Sequence, residues 1–120
     1  MPCFTILTNV PKSKIPVDFA DKIIPVLSRV VGKSADKFTC IISGDCIASF
    51  GGDSTSPGAV ATLESIGNLN SKQNRVIVKE LSDFLAKEIN VMPDRFFISL
   101  YDIQSHNVGR FGKTAEELLG

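Results

Sequence analysis

With 120 residues, 43% of them apolar and 22% charged, the chain has the makeup of one folded domain that can bury a core without staples. Lys plus Arg and Asp plus Glu stand at 13 each, and this balance argues against nucleic acid or an acidic membrane surface as the main partner. Lys, Asp, Pro or Ser breaks every apolar run within a few residues, so no segment is expected to insert into a bilayer.

Cys3-Phe-Thr-Ile-Leu-Thr8 is rich in β-branched and apolar residues and reads as a strand. A loop follows over Asn9–Lys14. From Pro16 a helix is expected, because Phe19, Ile23, Leu27 and Val30 recur at helical spacing. Pro25 lacks a backbone donor and predicts a kink or a short first turn. Gly32 ends the helix. Phe38–Ser43 is a second strand, and Ile47–Phe50 a short third one before the turn at Gly51-Gly52. Ala59–Ile66 is a strand closed by Gly67. Ser71 is placed as the N-cap of a long helix to Ile89, with Ile77, Leu81, Phe84, Leu85 and Ile89 as its buried stripe. Asn90 marks its stop, and Phe96–Tyr101 is the last strong strand. The tail has Gly109, Gly112 and the acidic pair Glu116-Glu117, with little to pack.

The order strand, helix, strand occurs twice, over pseudo-repeats of about 1–50 and 59–112. Gly32–Phe38 and Val91–Phe96 echo each other ahead of the closing strands. Two βαβ units predict an α/β fold of the two-layer α+β kind: a four-stranded sheet with two helices on one face, in a single domain over residues 1–120. The other sheet face is left bare, and burying it requires an oligomer.

Chemistry-bearing groups are few. Pro2 follows Met1 directly, and removal of Met1 leaves a secondary amine. A free α-amino group titrates at about 7.7–8.0, and a nearby cation or burial lowers that. A base titrating near the working pH is the effective kind. Lys33, at the end of the first helix, is either a solvated loop residue or a partner that keeps the amine neutral and binds an oxyanion. Ser65-Ile66-Gly67 closes a strand, where the Ile66 N–H can bind an anionic oxygen. His106 sits among Ser105 and Asn107 and reads as surface. No Ser-His-Asp grouping, phosphate loop or metal-ligand cluster is assembled, and no metal or cofactor is expected. Cys3, Cys40 and Cys46 are odd in number and widely spaced, as free thiols in a reducing compartment would be. The start has no basic region, and Asn9, Pro11, Lys12 and Lys14 interrupt it, so no signal peptide is expected. The chain is expected to be made in the cytoplasm.

Met1-Pro2, Thr8-Asn9-Val-Pro11, Gly32-Lys33, Phe50-Gly-Gly52, Ser65-Ile-Gly67, Gln73-Asn-Arg75, Pro93-Asp-Arg95 and Asn107-Val-Gly109 recur in that order. As an ordered set spanning nearly the whole chain they resemble the macrophage migration inhibitory factor family and its relative, D-dopachrome tautomerase. The resemblance implies a homotrimer with active sites between subunits. It implies cofactor-free keto–enol tautomerisation of a small aromatic 2-oxo acid (phenylpyruvate type) and of dopachrome derivatives. It also implies export by a leaderless route, with a cell-surface receptor as a further partner. Carried over by residue, Pro2 is the base, and Lys33 and the Ile66 N–H bind substrate oxygens. Phe97 and Ser99 of a neighbouring subunit stand where the family often has Tyr and Asn. Pro57–Ala61 lacks the Cys-x-x-Cys of some members, so thiol–disulfide exchange there is not expected. Arg110 replaces a Trp of mammalian members, as a solvated rim residue or one that attracts a carboxylate. Three roles follow for test: a tautomerase, an extracellular receptor ligand with vestigial activity, and an oligomeric scaffold.

Overall fold

A computed structural model describes residues 1–119. β1 (Cys3–Thr8), β2 (Thr39–Ser43), β3 (Ala59–Ser65) and β4 (Phe96–Asp102) form one mixed sheet in the order β2-β1-β3-β4. β1 runs parallel to β2 and β3 parallel to β4, while β1 and β3 pair antiparallel. Each parallel pair is bridged by a helix, α1 (Phe19–Val31) or α2 (Ser71–Ile89). The two expected βαβ units are therefore present, set back to back across the β1–β3 pairing.

Strand alternation divides the sheet into two faces. Phe4, Ile6, Ala59, Ala61 and Leu63 are buried under the helices with Phe19, Ile23, Leu27 and Val30 of α1 and Ile77, Leu81, Leu85 and Ile89 of α2. Each buried Phe, Ile, Leu or Val of this set contributes about 1.5–3 kcal/mol by leaving water, which fixes the register. Phe84 is only half-buried and meets Phe19 edge to face, with ring centroids 5.4 Å apart. On the opposite face Leu7, Ile41, Val60, Phe97 and Tyr101 are exposed, and none of the described residues covers them. The bare face expected from the sequence thus carries an apolar patch, beside Thr5, Thr62 and Glu64.

Several boundaries differ from expectation. α1 starts at Phe19, three residues after Pro16, once the Phe19 N–H has closed a turn on the Pro16 carbonyl. It then runs through Pro25, which is exposed together with Asp21. The carbonyl that Pro25 leaves without a donor belongs to Asp21 and is on the wet side, so the helix continues. Asn70, not Ser71, caps α2: its side chain accepts the Gln73 N–H at 2.8 Å. Asn90 ends α2 in the left-handed region as expected. Ile47–Phe50 is not a strand. Asp45 turns the chain with φ 60°, Ile47 is fully exposed, and Phe50 makes a single bridge to Asp53. The echo ahead of β2 and β4 is structural, since Ala35–Lys37 and Pro93–Arg95 are both 3-10 turns. Phe38 and Phe96, directly after them, both pack against the core.

The tail packs more than expected. β5 (Gly109–Arg110) and β6 (Lys113–Thr114) form a hairpin, followed by α3 (Ala115–Leu119). Ala115 is fully buried, and its N–H donates to the Val108 carbonyl at 2.7 Å. This folds the tail back on itself and places Arg110 near the chain start.

Candidate active site

Pro2 is buried, and its carbonyl accepts the Thr39 N–H at 3.1 Å. The β1–β2 ladder thus extends to Pro2 and pins it where two strands meet. A recess of about 240 Å³ opens beside it, lined by Met1, Thr39 and Val108 with the cations Lys37 and Arg110. The terminal amine, on Met1 here, is held below its ordinary value of 8.0. Burial is the main cause, and Lys33, Lys37 and Arg110 add to it.

Lys33 is aimed by the end of α1. Gly32 adopts φ 76° and ψ 38°, which a Cβ would disfavour, and turns the chain out of the helix. The Lys33 carbonyl accepts the Ser28 hydroxyl at 2.6 Å. Its ammonium donates to the Ile66 carbonyl at 2.5 Å. Burial lowers the titration of Lys33, against the opposing field of Asp102. The Asn68 amide clamps the same junction by donating to the Val31 carbonyl at 3.0 Å. Asp102, at the end of β4, accepts the Gly67 N–H at 2.9 Å. The structure therefore brings Lys33 and Ile66 together. The contact uses the Ile66 carbonyl; the N–H given the anion-binding role by the sequence reading takes no part in it.

Phe97 and Ser99 lie elsewhere in the chain. Both are on β4, on the bare sheet face, opposite Val60 and Thr62. Strand β3 separates β4 from β1, and neither residue lines the recess at Pro2. Within one chain they do not meet the base.

Two participants were missed in the sequence. Lys37 reads there as one more loop lysine, and only the 3-10 turn at 35–37 brings it to the recess. Asp102 reads as a strand-end residue, and its link to Gly67 depends on the β3–β4 register that pairs it with Ser65. His106 is exposed, as expected. Cys3, Cys40 and Cys46 are free thiols, and burial with the neighbouring Cys3 pushes the Cys40 thiol up to about 12. Among the described residues no group of His, Cys, Asp and Glu could hold a metal ion, and no helix is long and apolar enough to cross a membrane.

Arg95 accounts for several of the remaining motif pieces. Its guanidinium donates to the carbonyls of Asp53, Ser56 and Pro57 at 3.2, 2.7 and 2.9 Å. It also lies 4.8 Å from the Phe50 ring centroid. These residues hold the 50–58 loop to the start of β4 and stand apart from the recess.

The chain is thus an α+β protein of two back-to-back βαβ units, with a buried proline at position 2 beside a basic recess. The family description "Macrophage migration inhibitory factor (MIF)" matches residues 1–116, and the chain belongs to that family. It is 40% identical to macrophage migration inhibitory factor of Xenopus laevis, covering 95% of this chain and 98% of that one. It is 33% identical to the macrophage migration inhibitory factor homolog of Brugia malayi, with the same coverage of both. The solved structure of macrophage migration inhibitory factor from Trichinella spiralis superposes with a TM-score of 0.89 at 28% identity, over 93% of this chain and 98% of that one. The homologue from Prochlorococcus marinus, at 18% identity and a TM-score of 0.86, shares the fold.

Proposed function

We propose that the protein is a keto–enol tautomerase of phenylpyruvate or dopachrome type, with the Pro2 amine, freed by loss of Met1, as general base. The observation that carries this reading is the setting of the chain start. A buried proline sits at a strand end, beside an amine whose charged form is disfavoured by burial and three cations. A neutral secondary amine can take the proton from the carbon next to the carbonyl of a 2-oxo acid. Lys33 and the Ile66 N–H hold the substrate's carboxylate and the oxygen on which charge develops. The amine then returns the proton to that oxygen, so the reaction is an isomerisation with no net oxidation and needs no cofactor.

The reading includes a homotrimer. The bare face of each sheet is covered by a neighbour, whose Phe97 and Ser99 wall the pocket. A Phe and a Ser there give a less polar wall than Tyr and Asn would, which alters substrate preference and leaves the base intact.

The test is a mass measurement of the mature N-terminus, followed by phenylpyruvate tautomerisation by the parent and by Pro2→Gly. The expected result is an N-terminal Pro2 and a loss of at least about 10²-fold on substitution, the usual scale for removing a general base. A retained Met1, or full activity of Pro2→Gly, overturns the proposal.

A second reading rests on the name the relatives share. The protein would be exported without a leader and would act as a cytokine-like ligand of a cell-surface receptor, with tautomerase activity weak or vestigial. The two roles can coexist. Absence of the protein outside intact producing cells, together with no receptor binding by the purified protein, would exclude the second.

A further inference from the structure

The recess at the chain start carries more positive charge than one carboxylate and one proton transfer need. Lys33 serves the acid group next to the reacting carbonyl. Lys37 and Arg110 are two further cations, and both line the recess beside Pro2. Their charges, like that of Lys33, also reach the terminal amine, although Lys33 itself is not on the recess wall.

Like charges brought together repel, and the arrangement is relieved by an anion. Neither Lys37 nor Arg110 takes part in an ion pair of the described residues. No Asp or Glu lines the recess. Asp36 is near enough to feel both cations, but it is exposed, bonded to the Ser34 hydroxyl, and off the recess wall. Arg110 is steadied from one side, its guanidinium carbon 4.7 Å from the Phe111 ring centroid. Stacking of this kind leaves the N–H edge available for a carboxylate.

Resting on the reading of Pro2 as base, we infer that Lys37 and Arg110 form a second carboxylate subsite, and that the preferred substrate is a 2-oxo acid with a second carboxylate at its far end. Lys33 holds the acid next to the carbonyl. Pro2 takes the proton from the adjacent carbon and returns it to the enolate oxygen. The distal carboxylate lies between the Lys37 ammonium and the Arg110 guanidinium and takes no part in the proton transfer. Substrate and product have the same composition.

The test compares phenylpyruvate with 4-carboxyphenylpyruvate, on protein lacking Met1 and at a pH on the plateau of each variant's profile. An exposed ion pair is typically worth about threefold, so two together should give about tenfold. The expected ratio of kcat/KM is therefore about ten in favour of the dicarboxylate, falling toward one in Lys37→Gln/Arg110→Gln. A ratio near one in the parent, unmoved by the double substitution, overturns the subsite while turnover of phenylpyruvate leaves the Pro2 reading standing. Calorimetry with benzoate and terephthalate, which cannot enolise, separates the two claims. Tighter binding of terephthalate, lost in the double variant, supports the subsite even where neither oxo acid turns over; in that case the Pro2 reading is what fails. Equal binding of the two overturns the subsite.

Discussion

The Lys33 ammonium donates a 2.5 Å hydrogen bond to the Ile66 carbonyl, tying the end of α1 to the end of β3. The bond sets the position of the one cation that both repels a proton from the terminal amine and, in the proposed function, binds substrate. Lys33→Ala should then act on two levels. Loss of a preorganised oxyanion partner should lower kcat/KM for phenylpyruvate by about 10²-fold. Loss of the bond should lower stability by only about 1 kcal/mol. Steady-state kinetics with a urea titration checks both, and a large stability loss with little change in turnover would assign Lys33 to the scaffold.

The pH profile follows from the amine's surroundings. The base works as the neutral amine, so kcat/KM should rise with pH and level off above the amine's pKa. At Met1, burial first, then Lys33, Lys37 and Arg110, disfavour the ammonium, and the same surroundings acting on the Pro2 amine should put the midpoint of the rise below 8.0. Replacing a cation with Gln removes repulsion and moves the midpoint upward. The largest of these shifts is expected for Lys33→Gln, then Lys37→Gln, then Arg110→Gln. A midpoint at or above 8.0 in the parent, or a downward move in the variants, would contradict this account of the site.

Helical spacing made α1 legible in the sequence: Phe19, Ile23, Leu27 and Val30 are all buried. Richness in β-branched and apolar residues did the same for β1. Ends were harder, because capping depends on one side chain reaching one N–H, and Asn70 and Ser71 are equally plausible caps by type. Ile47–Phe50 failed for a different reason: β-propensity describes a surface to pack on, and Ile47 has none within the chain. At the site, Pro2 and Lys33 stood out through motif order. Lys37 did not, since its place depends on a 3-10 turn and on a tail hairpin from the far end of the chain. No local pattern encodes that meeting.

Arg95 gives a prediction about the scaffold. Its side chain is 14% exposed, donates to three carbonyls, and lies 3.5 Å from the Asp53 carboxylate. Arg95→Ala leaves the half-buried Pro57 carbonyl without its donor, while the Asp53 and Ser56 carbonyls keep the Phe50 N–H and the Asn9 amide, and should cost about 1–3 kcal/mol, read as a lower urea midpoint. Arg95→Lys should recover little, because an ammonium cannot span three carbonyls and stack on Phe50. Gly58 is part of the same assembly, where an added Cβ would stand 2.5 Å from the Phe50 ring. Asp53 adds an acid dependence. Bonds from Thr55 and Ser56 hold its carboxyl below the ordinary 3.8. A lowered pKa in the folded state means its stabilising effect is complete above the unfolded value and is lost as pH falls through the folded one. Asp53→Asn should therefore lessen the fall in stability below about pH 4.

The bare sheet face yields the prediction that links assembly to activity. Leu7 and Val60 are opposite each other on the central strands β1 and β3, and Val60 faces Phe97 on β4. All three are exposed in the single chain, at 51%, 42% and 64%. An apolar patch at the middle of a sheet is stable in water when another surface covers it. A lysine there costs the single chain little, because the side chain already faces solvent, but it forbids a dry interface. Leu7→Lys/Val60→Lys should therefore keep the helical circular-dichroism signal of the parent while its mass by sedimentation falls from a trimer to a monomer. If Phe97 and Ser99 reach the Pro2 recess of a neighbour, tautomerase activity should fall with the mass, by about 10²-fold or more, the cost of a misassembled site. A monomeric variant with parental activity would place the whole site in one chain. A trimeric variant would show that this face is not the one buried between subunits.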